Sequence, residues 1–239
     1  MYLFYHPSAL PGATVTMDAA EAAHISKVLR KRDGDQIHLT DGRGKLYEAA
    51  LIVGKKEMLA SMMNYSEIPG RNHKLEIAIA PTKNQDRLEW LVEKAVEIGV
   101  EKIVLIGCEH SEKTHVRMER LQRVAIAAMK QSLKYYLPEI SLLQSFSEWV
   151  ANCSANQKFI AHCKNELPRK SLMEAISKGQ SCAIAIGPEG DFSEKEIALA
   201  IQNNFGPVSF GDQRLRTETA ALCAVHTFSL IQNLHSKPQ

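Results

Sequence analysis

The first third of the chain alternates apolar and polar residues in short runs that are typical of antiparallel strands. Two of these runs, Gln36–Thr40 and Leu46–Val53, flank the turn sequence Asp41-Gly42-Arg43-Gly44, which predicts a β-hairpin. The other predicted strands are Tyr2–Tyr5, Thr14–Met17 and Met58–Tyr65. This pattern predicts a small β-barrel over residues 1–69.

After Ile68-Pro69-Gly70-Arg71-Asn72, a cluster of residues that interrupts regular structure, longer apolar strands alternate with amphipathic helices. The first of these helices carries apolar residues from Leu88 to Ile98 and stops at Gly99. Repeated strand and helix units predict an α/β domain over 73–239, with a parallel sheet and helices on both faces. Its predicted strands are Lys74–Ala80, Lys102–Gly107, Glu139–Leu143, Phe159–Cys163, Ser181–Ile186 and Pro207–Phe210.

The composition is that of a globular protein, with 45% hydrophobic and 23% charged residues among 239. Because no apolar run approaches the ~18 residues of a membrane span and the N-terminus lacks a basic leader, we expect a cytoplasmic protein without a membrane segment. Five widely spaced cysteines without a metal-binding motif predict free thiols and no metal site. A net charge of +2 is too small to predict nucleic-acid binding, so that prediction must depend on local clusters.

Two glycine turns follow apolar strands in the C-terminal part of the chain. Ser181–Ile186 leads into Gly187-Pro188-Glu189-Gly190, and Pro207–Phe210 leads into Gly211-Asp212. Glycines let backbone groups approach a ligand closely, and we expect a side chain at Gly190 to enter the ligand space. Acidic neighbours and the lack of a P-loop lysine disfavour a polyphosphate and suit a neutral or cationic ligand such as S-adenosylmethionine. These neighbours are Glu189, Asp191, Asp212 and Glu218.

The same residues resemble those of a known enzyme family. The sequence GPEGDFS at 187–193, followed after about twenty residues by Gly211, Leu215-Arg216-Thr217-Glu218-Thr219-Ala220, is similar to the motifs of the ribosomal RNA small subunit methyltransferase E family. Asp191 stands where relatives often have a second glycine. The resemblance implies a SPOUT (trefoil-knot) methyltransferase domain, with a knot around 181–221, that uses S-adenosylmethionine to methylate N3 of a uridine in 16S ribosomal RNA.

The resemblance also covers the N-terminal part of the chain. His24, Val28-Leu29-Arg30, Gly34-Asp35 and the turn at 41–44 are similar to the PUA-like barrel of these enzymes, which is taken to dock on RNA. The implied partner is therefore 16S ribosomal RNA in the small ribosomal subunit.

Ligands of parallel sheets lie beyond the carboxyl ends of the strands, and the resemblance assigns three loops there to the cofactor. The implied cofactor-binding residues are Ala161, His162, Ile186, Gly187, Pro188, Glu189, Gly190, Phe210, Gly211, Leu215, Thr217 and Ala220. Ser193 and Glu196 form a predicted capping box at the start of a helix over 194–203, which gives them a structural role.

Methylation at uracil N3 requires a proton acceptor and a group that stabilises negative charge on the uracil oxygens. Arg216 is the candidate for charge stabilisation, because its guanidinium can bind a carbonyl oxygen in a fixed geometry. A salt bridge from Arg216 to Glu189 or Glu218 that braces the two loops is an alternative and does not exclude this role. Glu218 and Glu189 are also the candidates for the proton acceptor, with bulk water a further possibility.

Two basic clusters are candidates for RNA contacts. The first ends a helix predicted from Asp18 to about Leu29, where basic residues suit either the helix C-terminus or RNA phosphates, and the resemblance favours RNA. The basic residues of the second cluster recur at helical spacing over 117–134, and a solvated helix face is the alternative to an RNA contact there. Relatives carry arginines in this stretch, where this chain has Lys134 and Tyr136. The RNA-binding candidates are Lys27, Arg30, Lys31, Arg32, Lys83, Arg123, Lys130 and Lys134.

The last predicted helix, Thr217–Leu234, carries apolar residues on overlapping faces, more than one side of a sheet readily covers. This predicts a homodimer that pairs through the helix, as the resemblance also implies, and burial within one chain is the alternative. The residues are Ala221, Ala224, Val225, Phe228, Ile231 and Leu234.

Two other functions remain open from the sequence. One is a ribose 2′-O RNA methyltransferase of the same fold, and the other is a noncatalytic RNA-binding protein that has lost cofactor affinity. A nucleotide-hydrolysing enzyme is disfavoured, because the chain has no Walker lysine.

Overall fold

The computed structural model describes residues 1–112, 116–164 and 168–233. The chain divides into two compact units. The first comprises Met1–Gly70 together with Ile126–Leu137, and the second comprises Arg71–Ala125 together with the chain from Pro138 onward.

The first unit contains a five-stranded sheet in the order β1-β3-β4-β5-β2. Strand β1 pairs with β3 in parallel, and the other neighbours pair in antiparallel fashion. The predicted β structure and its hairpin at residues 41–44 are confirmed. The strands are β1 (Leu3–Tyr5), β2 (Thr14–Thr16), β3 (Gln36–Thr40), β4 (Lys45–Val53) and β5 (Met58–Glu67).

A short helix crosses this sheet at the predicted place. Helix α1 (Ala19–Ala23) begins after Asp18, whose carboxylate accepts the N–H of Glu21 at 2.8 Å, and it continues as a π-helical turn over His24–Val28. Ile25 in this turn is fully buried in the core of the unit. Apolar burial of this kind supplies most of the stability of a small sheet domain.

Residues 126–137 are hydrogen-bonded to the hairpin turn of the first unit and pack against it. Gly44 donates its N–H to the carbonyl of Tyr135 at 2.9 Å, and the Tyr136 hydroxyl donates to the carbonyl of Ile68 at 2.8 Å. Gly44 has φ +95°, and a Cβ there would overlap the Tyr136 ring. Tyr136 therefore has a packing role against a glycine that no other residue can replace without strain.

The second unit is built on a seven-stranded parallel sheet in the order β10-β12-β9-β11-β6-β7-β8. The predicted α/β class is confirmed, although three strands end earlier than expected, at Ile79, Ala161 and Ser209. The strands are β6 (Leu75–Ile79), β7 (Lys102–Gly107), β8 (Glu139–Ser145), β9 (Gln157–Ala161), β10 (Lys170–Ser171), β11 (Cys182–Ile186) and β12 (Gly206–Ser209). The remaining helices are α2 (Gln85–Ile98), α3 (Met118–Gln131), α4 (Phe146–Asn152), α5 (Leu172–Ala175), α6 (Glu194–Gln202) and α7 (Thr217–Asn233).

The order of the strands is not the order of the chain. Strand β12 lies between β9 and β10, although β11 is the strand that directly precedes it in the chain. Strand β11 likewise lies between β9 and β6. The carboxyl ends of β12, β9, β11 and β6 are therefore neighbours, although the residues come from distant parts of the sequence.

Apolar helices cover both faces of the parallel sheet. Helices α4 and α6 bury Phe146, Trp149 and Ile197 on one face, together with Ala78 and Ala183 of the strands. Helix α7 packs against α2, β6 and β11. Because side chains alternate along a strand, each strand contributes to both cores. In the described part of the chain, no helix is long and apolar enough to cross a membrane.

The prediction that the last helix leaves an apolar face uncovered is wrong. Ala221, Ala224, Val225 and Phe228 are completely buried within one chain, and Ile231 is 8% exposed. Helix α2 and the sheet cover these residues, and the His73 ring meets that of Phe228 edge-on at 6.0 Å. The structure thus removes the apolar stripe as an argument for a homodimer, while Leu234 lies outside the described residues.

We expect Phe228→Ala to lower the free energy of unfolding by about 3–5 kcal/mol, because it leaves a cavity in the core. Met173 on helix α5 is 67% exposed, so Met173→Ala should change stability by only about 0.5 kcal/mol. Urea denaturation of the two variants checks this expectation. Equal effects would contradict the burial of Phe228.

Candidate active site

Three loops leave the parallel sheet at the same level. In the register of the strands, Ala161 of β9 is opposite both Ile186 of β11 and Val208 of β12. The loops at 162–164, 187–193 and 210–216 therefore begin side by side at the carboxyl edge of the sheet, where ligands of parallel sheets bind. The structure brings together most residues of the predicted cofactor set, since they lie at these strand ends, in these loops or at the start of α7.

Asp191 connects the first two loops. One of its carboxylate oxygens accepts the N–H of Cys163 at 2.8 Å, and the other accepts the N–H of Phe192, also at 2.8 Å. Its φ of +64° lies in the left-handed region, which explains why glycine is common here and why aspartate is one of the better tolerated replacements. Asp191, which departs from the family pattern, thus has a structural role that the sequence alone did not indicate.

The glycines of the first turn make room for neighbouring protein groups. A Cβ at Gly187 would lie 3.0 Å from the ring of Phe192, which is fully buried against Phe146. A Cβ at Gly190 would lie 3.0 Å from Cβ of His110. A side chain at Gly190 would therefore contact His110 first, and its entry into the ligand space stays a prediction.

His110 is a member of this loop cluster that the sequence analysis missed. Its Nδ1 lies 2.9 Å from the carbonyl oxygen of Asp191. It follows β7, far from the glycine motifs in sequence, so no local pattern indicated the contact. The predicted capping box of Ser193 and Glu196 at the start of α6 is confirmed.

His162 offers unused hydrogen-bonding capacity at the end of β9. Its side chain is buried, and neither ring nitrogen has a hydrogen-bond partner among the described residues. Burial lowers the pKa of this imidazole below its usual range, an effect that Asp191 opposes in part and Arg169 reinforces. A neutral imidazole has one donor and one acceptor, and buried polar groups without partners are rare in folded proteins. The site therefore suits a ligand that bonds to His162.

The loop after β12 has open space beside it. Gly211 has φ +105°, and a Cβ there would meet no atom within 4 Å. Leu215 is half-buried, whereas Arg216 is exposed. Among the residues that the structure describes, Arg216 has no ion-pair partner, so the bracing salt bridge to Glu189 or Glu218 is not formed. Its guanidinium is available to a ligand.

Glu218 and Glu189, the two candidates for the proton acceptor, lie in different environments. Glu218 is 6% exposed at the start of α7, and its Oε1 lies 3.6 Å from Nε of Arg87 on α2. Glu189 is exposed, and its Oε1 accepts the N–H of Lys83 at 3.2 Å. The sequence analysis missed Arg87, because it belongs to an ordinary amphipathic helix with no motif.

The predicted RNA-binding residues separate into two groups. Lys27, Arg30 and Arg32 are exposed and Lys31 is half-buried, around the end of the π-helical turn, and none forms an ion pair within the described ranges. The other four have protein contacts. Lys83 pairs with Glu112 at 2.8 Å, Lys130 pairs with Glu21, Arg123 donates to the carbonyl of Glu119 at 3.4 Å, and half-buried Lys134 also has a partner.

Comparison with known proteins places these features in a family. Residues 70–229 match the RNA methyltransferase domain, and residues 18–62 match the RNA methyltransferase PUA domain. A ribosomal RNA small subunit methyltransferase E from Synechocystis is 28% identical over 92% of this chain and 74% of its own length.

Solved structures agree with these matches. A probable rRNA-methyltransferase from Porphyromonas gingivalis is 38% identical, with a TM-score of 0.92 over 99% of this chain and 100% of that one. A ribosomal RNA small subunit methyltransferase E from Neisseria gonorrhoeae, solved with S-adenosyl methionine, is 27% identical, with a TM-score of 0.78 over 97% of this chain and 98% of that one. No group of three or more side chains suited to a metal ion occurs in the described part of the chain.

We expect Asp191→Ala to destabilise the protein by about 1–3 kcal/mol, because it removes two acceptors and leaves a strained backbone. Asp191→Asn should cost less, since asparagine tolerates the left-handed region and keeps one acceptor. Thermal unfolding of both variants measures the difference. If alanine and asparagine have the same effect, the link between the two loops is not formed by the carboxylate.

Proposed function

This chain belongs to the ribosomal RNA small subunit methyltransferase E family, and on that premise we propose that it methylates N3 of a specific uridine in 16S ribosomal RNA of the small ribosomal subunit. It is an RNA methyltransferase with a SPOUT-type α/β domain and a PUA-like N-terminal domain. The observation that carries the proposal is the set of three loops that leave β9, β11 and β12 in register and contain the family motifs.

The residues of these loops fit S-adenosylmethionine. The turn at 187–190 offers backbone groups, Gly211 leaves open space, and neither ring nitrogen of His162 has a hydrogen-bond partner among the described residues. Exposed Glu189 favours the positive charge of a sulfonium. When bound, S-adenosylmethionine supplies an electrophilic methyl group. We assign the cofactor contacts to the loop residues named from the sequence, with Thr217 and Ala220 of α7 completing the site.

Side chains of this protein then have to stabilise the negative charge that develops on the uracil. Loss of the N3 proton leaves negative charge that is shared with the neighbouring carbonyl oxygens, and exposed Arg216 is the group that binds them. Of the two proton-acceptor candidates, Glu189 is the better placed, because its carboxylate is exposed beside the glycine turn. Glu218 is buried against Arg87, which suits a role in holding the start of α7.

We further propose that residues 1–69 dock on the RNA and that residues 73–239 carry catalysis, with the knot around 181–221. The match of residues 18–62 to the PUA domain supports the first assignment. The exposed cations Lys27, Arg30 and Arg32 suit RNA phosphates. Because the small subunit is its substrate, we place the enzyme in the cytoplasm.

A homodimer remains part of the proposal through the resemblance alone. If it forms across α7, the contact has to use the side of the helix that the chain leaves open, where His226 and Leu230 are exposed. Leu230→Glu should then yield monomers in sedimentation experiments. A wild-type protein that is fully active as a monomer would exclude the dimer.

The function is tested by incubating unmodified small subunits with methyl-labelled S-adenosylmethionine and the protein. Nuclease digestion and mass spectrometry then locate the label. We expect one methyl group on N3 of a uridine. Label on a ribose 2′-hydroxyl would indicate the related 2′-O activity instead, and cofactor binding without transfer would indicate a noncatalytic protein.

We expect Arg216→Ala to lower turnover by a factor on the order of a hundred or more while cofactor affinity changes little, because the lost interaction stabilises charge that develops during the reaction. Arg214→Ala is the matched control, since Arg214 is exposed in the same loop. Single-turnover rates and calorimetric cofactor binding give the two quantities. Equal losses of both in Arg216→Ala would show that the arginine only maintains the loop.

A further inference from the structure

The β3–β4 turn holds an arginine in a fixed position at the surface of the first unit. Asp41 has a buried side chain, 3% exposed, and its Oδ1 accepts the N–H groups of Arg43 and Lys45 at 2.8 and 3.3 Å. Its Oδ2 lies 3.4 Å from Nε of Arg43, and Nη2 of Arg43 donates to the carbonyl of Pro7 at 3.2 Å. The Arg43 side chain is nevertheless 62% exposed.

This arrangement prepares the guanidinium for an anion. An arginine has five N–H donors in a rigid fork, and the contacts with Asp41 and Pro7 leave the Nη1 group without a partner among the described residues. Most exposed arginines lose side-chain freedom when they bind, and Arg43 has already lost part of it. The fixed guanidinium can therefore bind a phosphate at a lower entropic cost than a freely moving side chain.

Two exposed tyrosines lie near this turn. Tyr136, whose ring packs on Gly44 next to Arg43, is 44% exposed, and Tyr65, whose ring lies next to Lys45, is 46% exposed. The ammonium of Lys45 lies 5.1 Å from the centre of the Tyr65 ring. We call Arg43, Lys45, Tyr65 and Tyr136 the turn surface.

One acidic group lowers the positive charge of the turn surface. The Glu67 carboxylate lies 4.0 Å from Nζ of Lys45, at the limit of an ion pair. The Glu67 side chain is 72% exposed, so solvent screens the pair and leaves Lys45 able to approach a phosphate. The buried Asp41 carboxylate offsets part of the charge of Arg43, but the exposed guanidinium still presents N–H donors to an approaching anion.

We propose that the turn surface binds single-stranded RNA, as a second contact besides the basic residues at the end of the π-helical turn. Exposed aromatic rings stack on unpaired bases, and adjacent cations bind the phosphates between them, whereas bases within a double helix are not available for stacking. Arg43 contacts a phosphate and Tyr65 stacks on a base. The inference rests on the proposed function, since that function makes RNA the partner.

The test measures binding of a fluorescent single-stranded RNA oligonucleotide and of small subunits as a function of salt. Arg43→Gln should weaken binding about tenfold and reduce the slope of log affinity against log salt by about 0.7. Lys195→Gln makes the same change of charge at an exposed position of α6 in the second unit and should leave both quantities nearly unchanged. Equal effects of the two variants would overturn the inference in favour of bulk charge.

Tyr65 supplies an independent comparison. Tyr65→Phe keeps the stacking surface and should bind like the wild type, whereas Tyr65→Ser should bind about tenfold more weakly. If Arg43→Gln fails to fold, Arg43→Lys replaces it and should keep the salt slope while losing affinity, because it retains the charge without the fork. Wild-type affinity of both Tyr65→Ser and the folded Arg43 variant would refute the RNA contact.

The same experiment separates this inference from the proposed function. Wild-type protein that methylates small subunits, with variants of the turn surface that bind them equally well, refutes only the RNA contact. Wild-type protein that binds S-adenosylmethionine but transfers no methyl group to small subunits refutes the proposed function.

Discussion

The candidate active site depends on the register of three parallel strands that are not neighbours in the sheet in the order of the chain. Ala161 of β9 is paired with β11 on one side and with β12 on the other, so the three loops start at one level of the sheet. Backbone hydrogen bonds therefore fix the position of the site before any side chain of the loops contributes. Asp191 then joins two of the loops. To do so it adopts a left-handed backbone conformation, which is strained for a residue other than glycine.

The elements of the fold could be predicted from the sequence because their signals are local. Apolar strands that end in glycines, a capping box at Ser193 and a breaker cluster at residues 68–72 each act over a few residues. Strand order could not be derived in this way, since nothing in the alternation of β12 shows that it pairs between β9 and β10. The resemblance to a family, and not the periodicity, assigned the three loops to the cofactor.

The wrong prediction for the last helix and the missed site residues have a common physical cause, which is contact between residues far apart in sequence. Phe228 was assigned to an exposed stripe because the sequence did not show that α2 covers it. Arg87 and His110 escaped notice because each meets its partner, Glu218 or Asp191, only in the folded chain. Tyr136 stands out in the sequence only as a departure from the family's arginines, and its packing against Gly44 is visible only in the structure.

The central claim is that the loops after β9, β11 and β12 together hold the cofactor. Hydrogen exchange of backbone amides, with and without S-adenosylmethionine, tests it most directly, because it reports each loop separately. We predict slower exchange at 162–164, 187–193 and 210–216, with the strands of the first unit unchanged. Protection at other loops of the sheet, with these three unaffected, would contradict the account.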